Sequence, residues 1–500
     1  MTGGDPAGAA REFYLDEDLG DVAPAGAATD RWRVVPRDAV GPARALTLRP
    51  GEQAGTPPLT LTADVRLACE LLVVGGSPDA ALEATIGFEA PGERETLVAV
   101  PLGPSRAPRA IELGLAAFAG RTGRFWIACR RAGGSPADDA VLAVVDWVVG
   151  RVDRLGLLRA RSHPRWRLGN ELAHFEHLYA DAFFDPRRLA ARPGDGRAPA
   201  APAPANAVRL EPELDAGELA RRPYAAPLDG ENAYTFAMRV LTALIRTPVP
   251  DFAARLRALA EGGRVPRLLS ICCGAAGVEL GIIRAAGVQV DVTLFDINPA
   301  LLEQAASAAA PDVPVRTVRG DVNAMTIEQF DGNFDAIACV SGLHHVVELE
   351  RVLDVASRLL VPGGEFWVIG EAVGRDGNRL WPEERAAADA LFGALPERCR
   401  RNAHTGAVDA VIPDTDYSAS SLEGVRSSEV EAALSNYFEV EATYRRNCFL
   451  WRILDMAYYA NYDVRDPDDR RRILALVAAE YNHWKHGGRS AETFAVYRAR

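Results

Sequence analysis

Two adjacent cysteines stand in a glycine-containing segment, LLSICCGAAGVE, at residues 268–279. Thiolates bind metals and form disulfides, but neighbouring cysteines chelate one ion poorly, and a disulfide between them strains the intervening peptide. His174 and His177, one helical turn apart in HFEHLY, lack a third ligand at compatible spacing and are expected on an ordinary helix surface. The seven scattered cysteines form no CxxC pair, so the sequence predicts reduced thiols and no metal site.

The elements around the cysteine pair suggest a different role for it. RLLSICC is an apolar strand that leads through small residues into the helical pattern GVELGIIRAAG. The same strand-then-helix rhythm recurs in VDVTLFDI, FDAIACV and EFWVIGE with their following segments. Nearly continuous apolar strands alternating with helices predict a doubly wound α/β domain, a parallel sheet covered on both faces. The first strand-to-helix turn of such a sheet lies beside the ligand crevice, where small residues let backbone amides approach a ligand.

These ordered segments resemble the class I S-adenosylmethionine-dependent methyltransferases. Against the acidic-x-Gly-x-Gly-x-Gly turn of that family, Ser270 occupies the acidic position, Cys272 the first glycine, Gly274 the second and Ala276 the third. FDAIACVSGLHHV is similar to the fourth strand of the family with its following segment, and LLVPGGEFWVIGE is similar to the Pro-Gly-Gly turn and fifth strand. A dinucleotide-binding dehydrogenase fits less well, because CxGxAG lacks the glycine spacing of that fingerprint.

The resemblance implies a Rossmann-like, seven-stranded sheet whose last, antiparallel strand is TFAVYRA (493–499), and S-adenosylmethionine as the cofactor. Asp296, 22 residues after Gly274, is expected to accept the ribose hydroxyls, and Asp321 to hold the adenine amino group or to cap a turn. Glu279 is expected to face solvent, with the alternative that it replaces the acid missing at Ser270. The full set of predicted cofactor-binding residues is Ser270, Cys272, Cys273, Gly274, Glu279, Asp296, Ile297, Asp321, Val322 and Val340.

Methyl transfer needs an in-line nucleophile, a water-poor pocket and sometimes a base. His344 and His345 follow the fourth predicted strand, so either can act as the base, with His345 preferred. The alternative is that one imidazole hydrogen-bonds the neighbouring loop. The loops that flank the crevice are expected to bind the acceptor. Arg375, Trp381 and Glu383 lie in such a loop and are the predicted acceptor residues.

GRDGNRLWPE (374–383) and SSLEGVRSSEV (420–430) resemble segments of bacterial methyltransferases that tailor natural products or glycans. We therefore expect a small-molecule, natural-product or glycan acceptor, either free or bound to a carrier, and O-methylation as the reaction. N- and C-methylation use the same cofactor site and stay open. A protein that binds the cofactor as a scaffold without transferring methyl also stays open.

The composition excludes other classes of function. The chain has 500 residues, a formal net charge of −12 and a pI near 5.3, which argues against binding nucleic acid or an anionic membrane. The sequence predicts neither a signal peptide nor a membrane span, so we expect a cytoplasmic protein. A homo-oligomer is left open.

Residues 30–160 alternate apolar and polar side chains in short runs between turns, a pattern typical of antiparallel β structure. A β-rich, sandwich-like accessory domain is therefore predicted for residues 1–165. A helical lid and a proline-rich linker, which includes residues 192–206, are predicted for 166–265, and the methyltransferase domain with substrate-capping insertions for 266–500.

Overall fold

The computed structural model describes residues 11–15, 32–37, 41–77, 79–103, 108–133, 139–180, 213–245, 250–309 and 312–500. The proline-rich stretch at 192–206 lies outside these ranges. The chain forms two compact units: the first contains Met1–Glu171 and Thr415–Arg426, and the second contains Leu172–Asp414 and Ser427–Arg500. The predicted division at 165 and 265 stays a prediction.

The first unit is built mainly from strands, with two helices after the last of them. Its strands are β1 (Phe13–Tyr14), β2 (Trp32–Arg37), β3 (Gly41–Leu48), β4 (Gln53–Gly55), β5 (Leu59–Thr60), β6 (Val65–Val74), β7 (Leu82–Ala90), β8 (Glu93–Leu102), β9 (Arg109–Gly114), β10 (Thr122–Arg131) and β11 (Val141–Arg151). Its helices are α1 (Leu155–Arg161) and α2 (Pro164–Ala180), the latter belonging to the second unit from Leu172 onward.

The strands of the first unit pair into two antiparallel sheets. One sheet has the order β2-β3-β11-β6-β9 with β1 added on β11, and the other has the order β4-β10-β7-β8 with β5 added on β10. Leu71 and Val144 of the first sheet share one hydrophobic core with Ile86 and Phe125 of the second. The alternation predicted from the sequence therefore turns one face of each sheet towards a common apolar interior.

A segment distant in sequence completes the first unit. The Nδ2 group of Asn170 donates to the carbonyl of Ser420 over 2.7 Å, and the backbone N–H of Leu422 donates to Oε2 of Glu171 over 3.0 Å. Arg167, which is 3% exposed, donates to Asp146 at 3.1 Å. Side chains of α2 thus hold Thr415–Arg426 through its backbone.

The second unit contains ten helices and seven strands among the described residues. The helices are α3 (Ala216–Ala220), α4 (Ala233–Leu244), α5 (Phe252–Leu259), α6 (Gly277–Ala286), α7 (Pro299–Ala309), α8 (Leu349–Leu359), α9 (Pro382–Gly393), α10 (Val430–Tyr437), α11 (Leu450–Ile453) and α12 (Pro467–Lys485). The strands are β12 (Arg267–Ile271), β13 (Asp291–Asp296), β14 (Val315–Arg319), β15 (Phe334–Val340), β16 (Leu360–Ala372), β17 (Phe438–Arg446) and β18 (Glu492–Ala499).

The sheet of the second unit has the strand order β14-β13-β12-β15-β16-β18-β17. The pairs from β14 to β16 are parallel, and β18 runs antiparallel to both of its neighbours. The predicted Rossmann-like α/β fold is confirmed. The order reverses at β12, which places the turn after β12 at the edge where ligands bind in such sheets.

Adjacent residues of β12 enter opposite cores, as the two-residue period of a strand requires. Leu269 packs with α8 and α10 on one face, whereas Leu268 packs with α5, α6 and α7 on the other. A third core joins α4, α9, α11 and α12. The core contains the aromatic side chains of Phe449, Tyr458 and Tyr462, which therefore contribute to packing. No helix in the described ranges is long and apolar enough to cross a membrane.

Candidate active site

The turn that follows β12 has an unusual backbone. Cys272, Gly274 and Ala276 have φ angles of 53°, 51° and 52°, in the left-handed region that favours glycine. The N–H of Ala276 donates to the carbonyl of Cys273 over 2.8 Å, and α6 begins at Gly277. The turn therefore brings the chain sharply from the strand to the start of the helix, where N–H groups without helical partners can meet a ligand.

Asp296, the last residue of β13, connects this turn to the neighbouring strand. Its Oδ2 accepts the N–H of Gly274 at 2.8 Å, and its Oδ1 accepts the N–H of Asn298 at 2.8 Å. Burial raises the pKa of Asp296, while these backbone N–H groups oppose the rise. Each carboxylate oxygen has a second lone pair, so the two oxygens can accept further hydrogen bonds from a ribose. Ile297 follows and is half-buried.

Glu279 does not face solvent, and the sequence expectation is wrong on this point. Glu279 is only 2% exposed, and the Ser270 hydroxyl donates to its Oε1 over 2.6 Å. Leu280, Ile283 and Ala286 are the other buried residues of α6. Ile283 and Ala286 follow Glu279 by four and seven residues, so all three lie on the same face of the helix, and this face is buried. Burial raises the pKa of Glu279 to about 7.

Asp321, after β14, caps the 3-10 turn Val322–Ala324. Its Oδ1 accepts the backbone N–H of Asn323 at 2.9 Å and the Asn323 side-chain N–H at 3.2 Å. The capping role that the sequence left open is thus observed. Asp321 and Val322 both remain half-buried, and their contact with a cofactor stays a prediction.

Glu371 organises the segment after β15, and the sequence analysis missed it. Its carboxylate accepts the N–H groups of Gly342, Leu343 and His344 at 2.9–3.0 Å and contacts Nδ1 of His344 at 2.6 Å. Burial opposes ionisation, but the His344 ring and the N–H groups hold the pKa of Glu371 below its usual range. An acid near the end of an apolar strand was the available signal. His344 is 3% exposed and held in place by this acid.

His345 is more accessible than His344. Its ring centroid lies 3.9 Å from that of His344 and 5.4 Å from that of Phe175 on α2. His345 also partly offsets the rise that burial causes in the pKa of Asp296. Val340, at the end of β15, is half-buried. The two predicted histidines therefore differ: Glu371 fixes one, and the other lies within electrostatic range of Asp296.

The cysteines of the turn pack against other site residues. Cys273 is 6% exposed, and burial raises the pKa of its thiol well above the ordinary value. The Cys339 thiol forms a hydrogen bond with Cys272, and a Cβ atom added to Gly342 would lie 2.7 Å from Cys272 Cβ and 3.0 Å from Cys339 Sγ. Only glycine fits at 342. The cysteines are free thiols in the structure, as the sequence predicted.

The predicted acceptor residues lie around the start of α9. Arg375 donates to the Leu380 carbonyl at 3.0 Å, and the Arg489 guanidinium lies over the Trp381 ring at 3.3 Å from its centroid. Glu383 is exposed, whereas its neighbour Glu384 is 3% exposed and accepts the N–H of Arg489 at 2.7 Å. Acceptor binding by Arg375, Trp381 and Glu383 stays a prediction.

This α/β unit has its polar groups collected at the carboxyl edge of a parallel sheet, the arrangement of a nucleotide-cofactor site. The chain matches the family model described as "Methyltransferase domain" over residues 268–364. The class predicted from the sequence, class I S-adenosylmethionine-dependent methyltransferase, is confirmed for this domain, and S-adenosylmethionine is its cofactor.

Curated relatives agree with this family. A ubiquinone/menaquinone biosynthesis C-methyltransferase UbiE of Methylobacterium nodulans is 34% identical over 102 residues, which are 20% of this chain and 40% of the relative. A demethylmenaquinone methyltransferase of Staphylococcus aureus is 30% identical over 98 residues, again 20% and 40% of the two chains. The chain thus spans about two-fifths of the length of these relatives.

Among solved structures, an S-adenosylmethionine-dependent methyltransferase of Mesorhizobium loti is 16% identical, with 49% of this chain and 96% of that chain covered, at a TM-score of 0.28. The [4+2]-cyclase SpnF is 17% identical, with 49% and 80% of the two chains covered, at a TM-score of 0.27.

Proposed function

We propose that the chain transfers a methyl group from S-adenosylmethionine to a small hydroxylated acceptor, a natural product or a glycan. The observation that carries this proposal is the hydrogen bond from Gly274 to Asp296, which joins the family's turn to the acid after the second strand. His345 supports it, because this histidine lies near the same carboxylate at the ligand-binding edge of the sheet.

S-adenosylmethionine supplies an activated methyl group on a positively charged sulfur. The residues of this chain have three tasks in the proposed reaction. Asp296 and the turn at 272–276 hold the cofactor, and Glu371 fixes the segment that presents His345. His345 would accept the proton of the acceptor hydroxyl, which would leave an oxyanion or its conjugated carbon to take the methyl group as the C–S bond breaks and S-adenosylhomocysteine leaves.

The acceptor atom is oxygen or a carbon activated by a neighbouring hydroxyl group. O-methylation is the expectation from the sequence. The curated relative from Methylobacterium nodulans is named a C-methyltransferase, and this favours carbon. Both outcomes use the same base, because loss of the hydroxyl proton also makes the adjacent carbon nucleophilic.

Incubation with methyl-labelled S-adenosylmethionine and a panel of phenols, hydroxyquinones, polyketides and glycosides tests this function. We expect label in an acceptor, and fragmentation of the product in a mass spectrometer distinguishes an ether from a C-methyl group. His345→Ala should lower kcat by about two orders of magnitude while cofactor affinity stays constant. Tight cofactor binding without transfer to any acceptor would instead favour a scaffold.

We also infer that the first unit is a β-sandwich accessory domain. The core shared by its two sheets supports this assignment. Because side chains of α2 hold Thr415–Arg426, we propose that the first unit keeps this segment in one conformation. Removal of the accessory strands should then leave cofactor binding intact and reduce turnover.

A further inference from the structure

We propose that Glu279 binds the α-ammonium group of S-adenosylmethionine, and that it supplies from helix α6 the acid that the family's turn carries at the end of the first strand. This inference rests on the proposed function and assigns one part of the cofactor to one residue. Ser270 stands at the acidic position of the turn and is completely buried. Its hydroxyl donates to Glu279 Oε1 over 2.6 Å, so a carboxylate lies beside the position where the acid is missing.

The part of the chain that the structure describes places no ion-pair partner beside Glu279. Within the described residues, no arginine, lysine or histidine forms an ion pair with Glu279, and its hydrogen-bonding side-chain partner is the neutral Ser270. Among the described residues, the titratable groups that interact with Glu279 include two thiols and an acid: Asp296 on β13, Cys273 in the turn and Cys339 on β15. A buried carboxyl group in such surroundings is costly to ionise.

A cationic ligand removes this cost. An ammonium group beside Glu279 would pair with its carboxylate and also reduce the repulsion from Asp296. The turn at 272–276, which joins Ser270 to α6 and donates its Gly274 N–H to Asp296, is where the cofactor of this domain is expected to approach. The burial of Glu279 and the lack of a counter-ion for it within the described ranges therefore point to the same chemical group, a primary ammonium.

Three ligands distinguish binding of the ammonium group from binding of the sulfonium, the other cationic centre of the cofactor. S-adenosylmethionine carries an ammonium and a sulfonium, S-adenosylhomocysteine carries only the ammonium, and 5′-methylthioadenosine carries neither. Calorimetric titration of Glu279→Gln should show affinity for the first two ligands reduced by about 10- to 100-fold, with affinity for 5′-methylthioadenosine unchanged. Glu303→Gln, which removes an exposed acid from α7, is the matched control and should bind all three like the wild type.

A swap variant tests the relocation of the acid directly. Ser270→Asp combined with Glu279→Ser returns the carboxylate to the strand and the hydroxyl to the helix. We expect this folded variant to regain affinity for S-adenosylhomocysteine to within a few-fold of the wild type, with thermal melting as the check on folding.

Several results would overturn the inference. If Glu279→Gln lowers the affinity for S-adenosylmethionine but not for S-adenosylhomocysteine, Glu279 interacts with the sulfonium and not with the ammonium. Equal losses for all three ligands would make Glu279 a general structural residue, and unchanged affinities would remove it from the site. A folded swap variant as weak as Glu279→Gln would contradict the relocation. The proposed function fails separately, if the wild type binds these ligands but transfers no label.

Discussion

The buried carboxyl group of Glu279 makes the stability of the cofactor-free protein depend on pH. Burial raises the pKa of Glu279 from 4.5 to about 7. Because the folded pKa exceeds the unfolded one, the folded chain retains a proton that the unfolded chain releases. The contribution of Glu279 is therefore fully present below about pH 4.5 and is lost as pH rises to about 7. At about 1.4 kcal/mol for each pKa unit, the loss amounts to about 3 kcal/mol.

Glu279→Gln keeps the shape of the side chain and removes its titration. Urea unfolding at intervals from pH 4.5 to pH 7.5, without cofactor, measures the free energy of unfolding of both proteins. We expect the wild type to lose about 3 kcal/mol relative to the variant across this range. Subtraction of the two curves cancels the other titrating groups. A difference that does not change with pH, or that changes with the opposite sign, would refute a buried, protonated Glu279.

Three further substitutions test the framework around the site. Glu371→Gln removes the anion that binds three backbone N–H groups, so urea unfolding should show a loss of about 2–4 kcal/mol; unchanged stability would contradict this role. Arg167→Leu breaks the buried pair with Asp146 and should increase proteolytic cleavage within Thr415–Arg426, whereas an unchanged digestion pattern would argue against α2 holding that segment. Gly342→Ala introduces a clash and should cost about 1–3 kcal/mol by thermal unfolding; a melting temperature like that of the wild type would show that the site has more room.

The parallel sheet could be predicted because each of its central strands is recognisable from a short, continuous stretch of sequence. Strands β12, β13 and β15 are short apolar runs that end in or lead into small or acidic residues, and the order of these ends along the chain predicts which groups share an edge. Asp296 was found in this way, and its hydrogen bond to Gly274 joins two of the predicted residues.

Other features depend on side-chain phase or on contacts between distant parts of the sequence. Glu279 does not face solvent as the sequence predicts, because its spacing from Ile283 and Ala286 places it on the buried face of α6. Glu371 accepts hydrogen bonds from the loop after β15, whose residues lie nearly thirty positions earlier in the chain. The membership of Thr415–Arg426 in the first unit rests on contacts across about 250 residues, which no local pattern reveals.

Calorimetric titration of S-adenosylmethionine into the wild type and Asp296→Ala tests the central claim most directly, that the carboxyl edge of this sheet is the cofactor site. We expect one bound cofactor for each wild-type chain and an affinity lower by about 1.5–3 kcal/mol in the variant, because the half-buried carboxylate that accepts the ribose hydroxyls is removed. Thermal melting of the variant checks that the turn still folds. Absence of binding to the wild type, or equal affinity in a folded variant, would contradict the account.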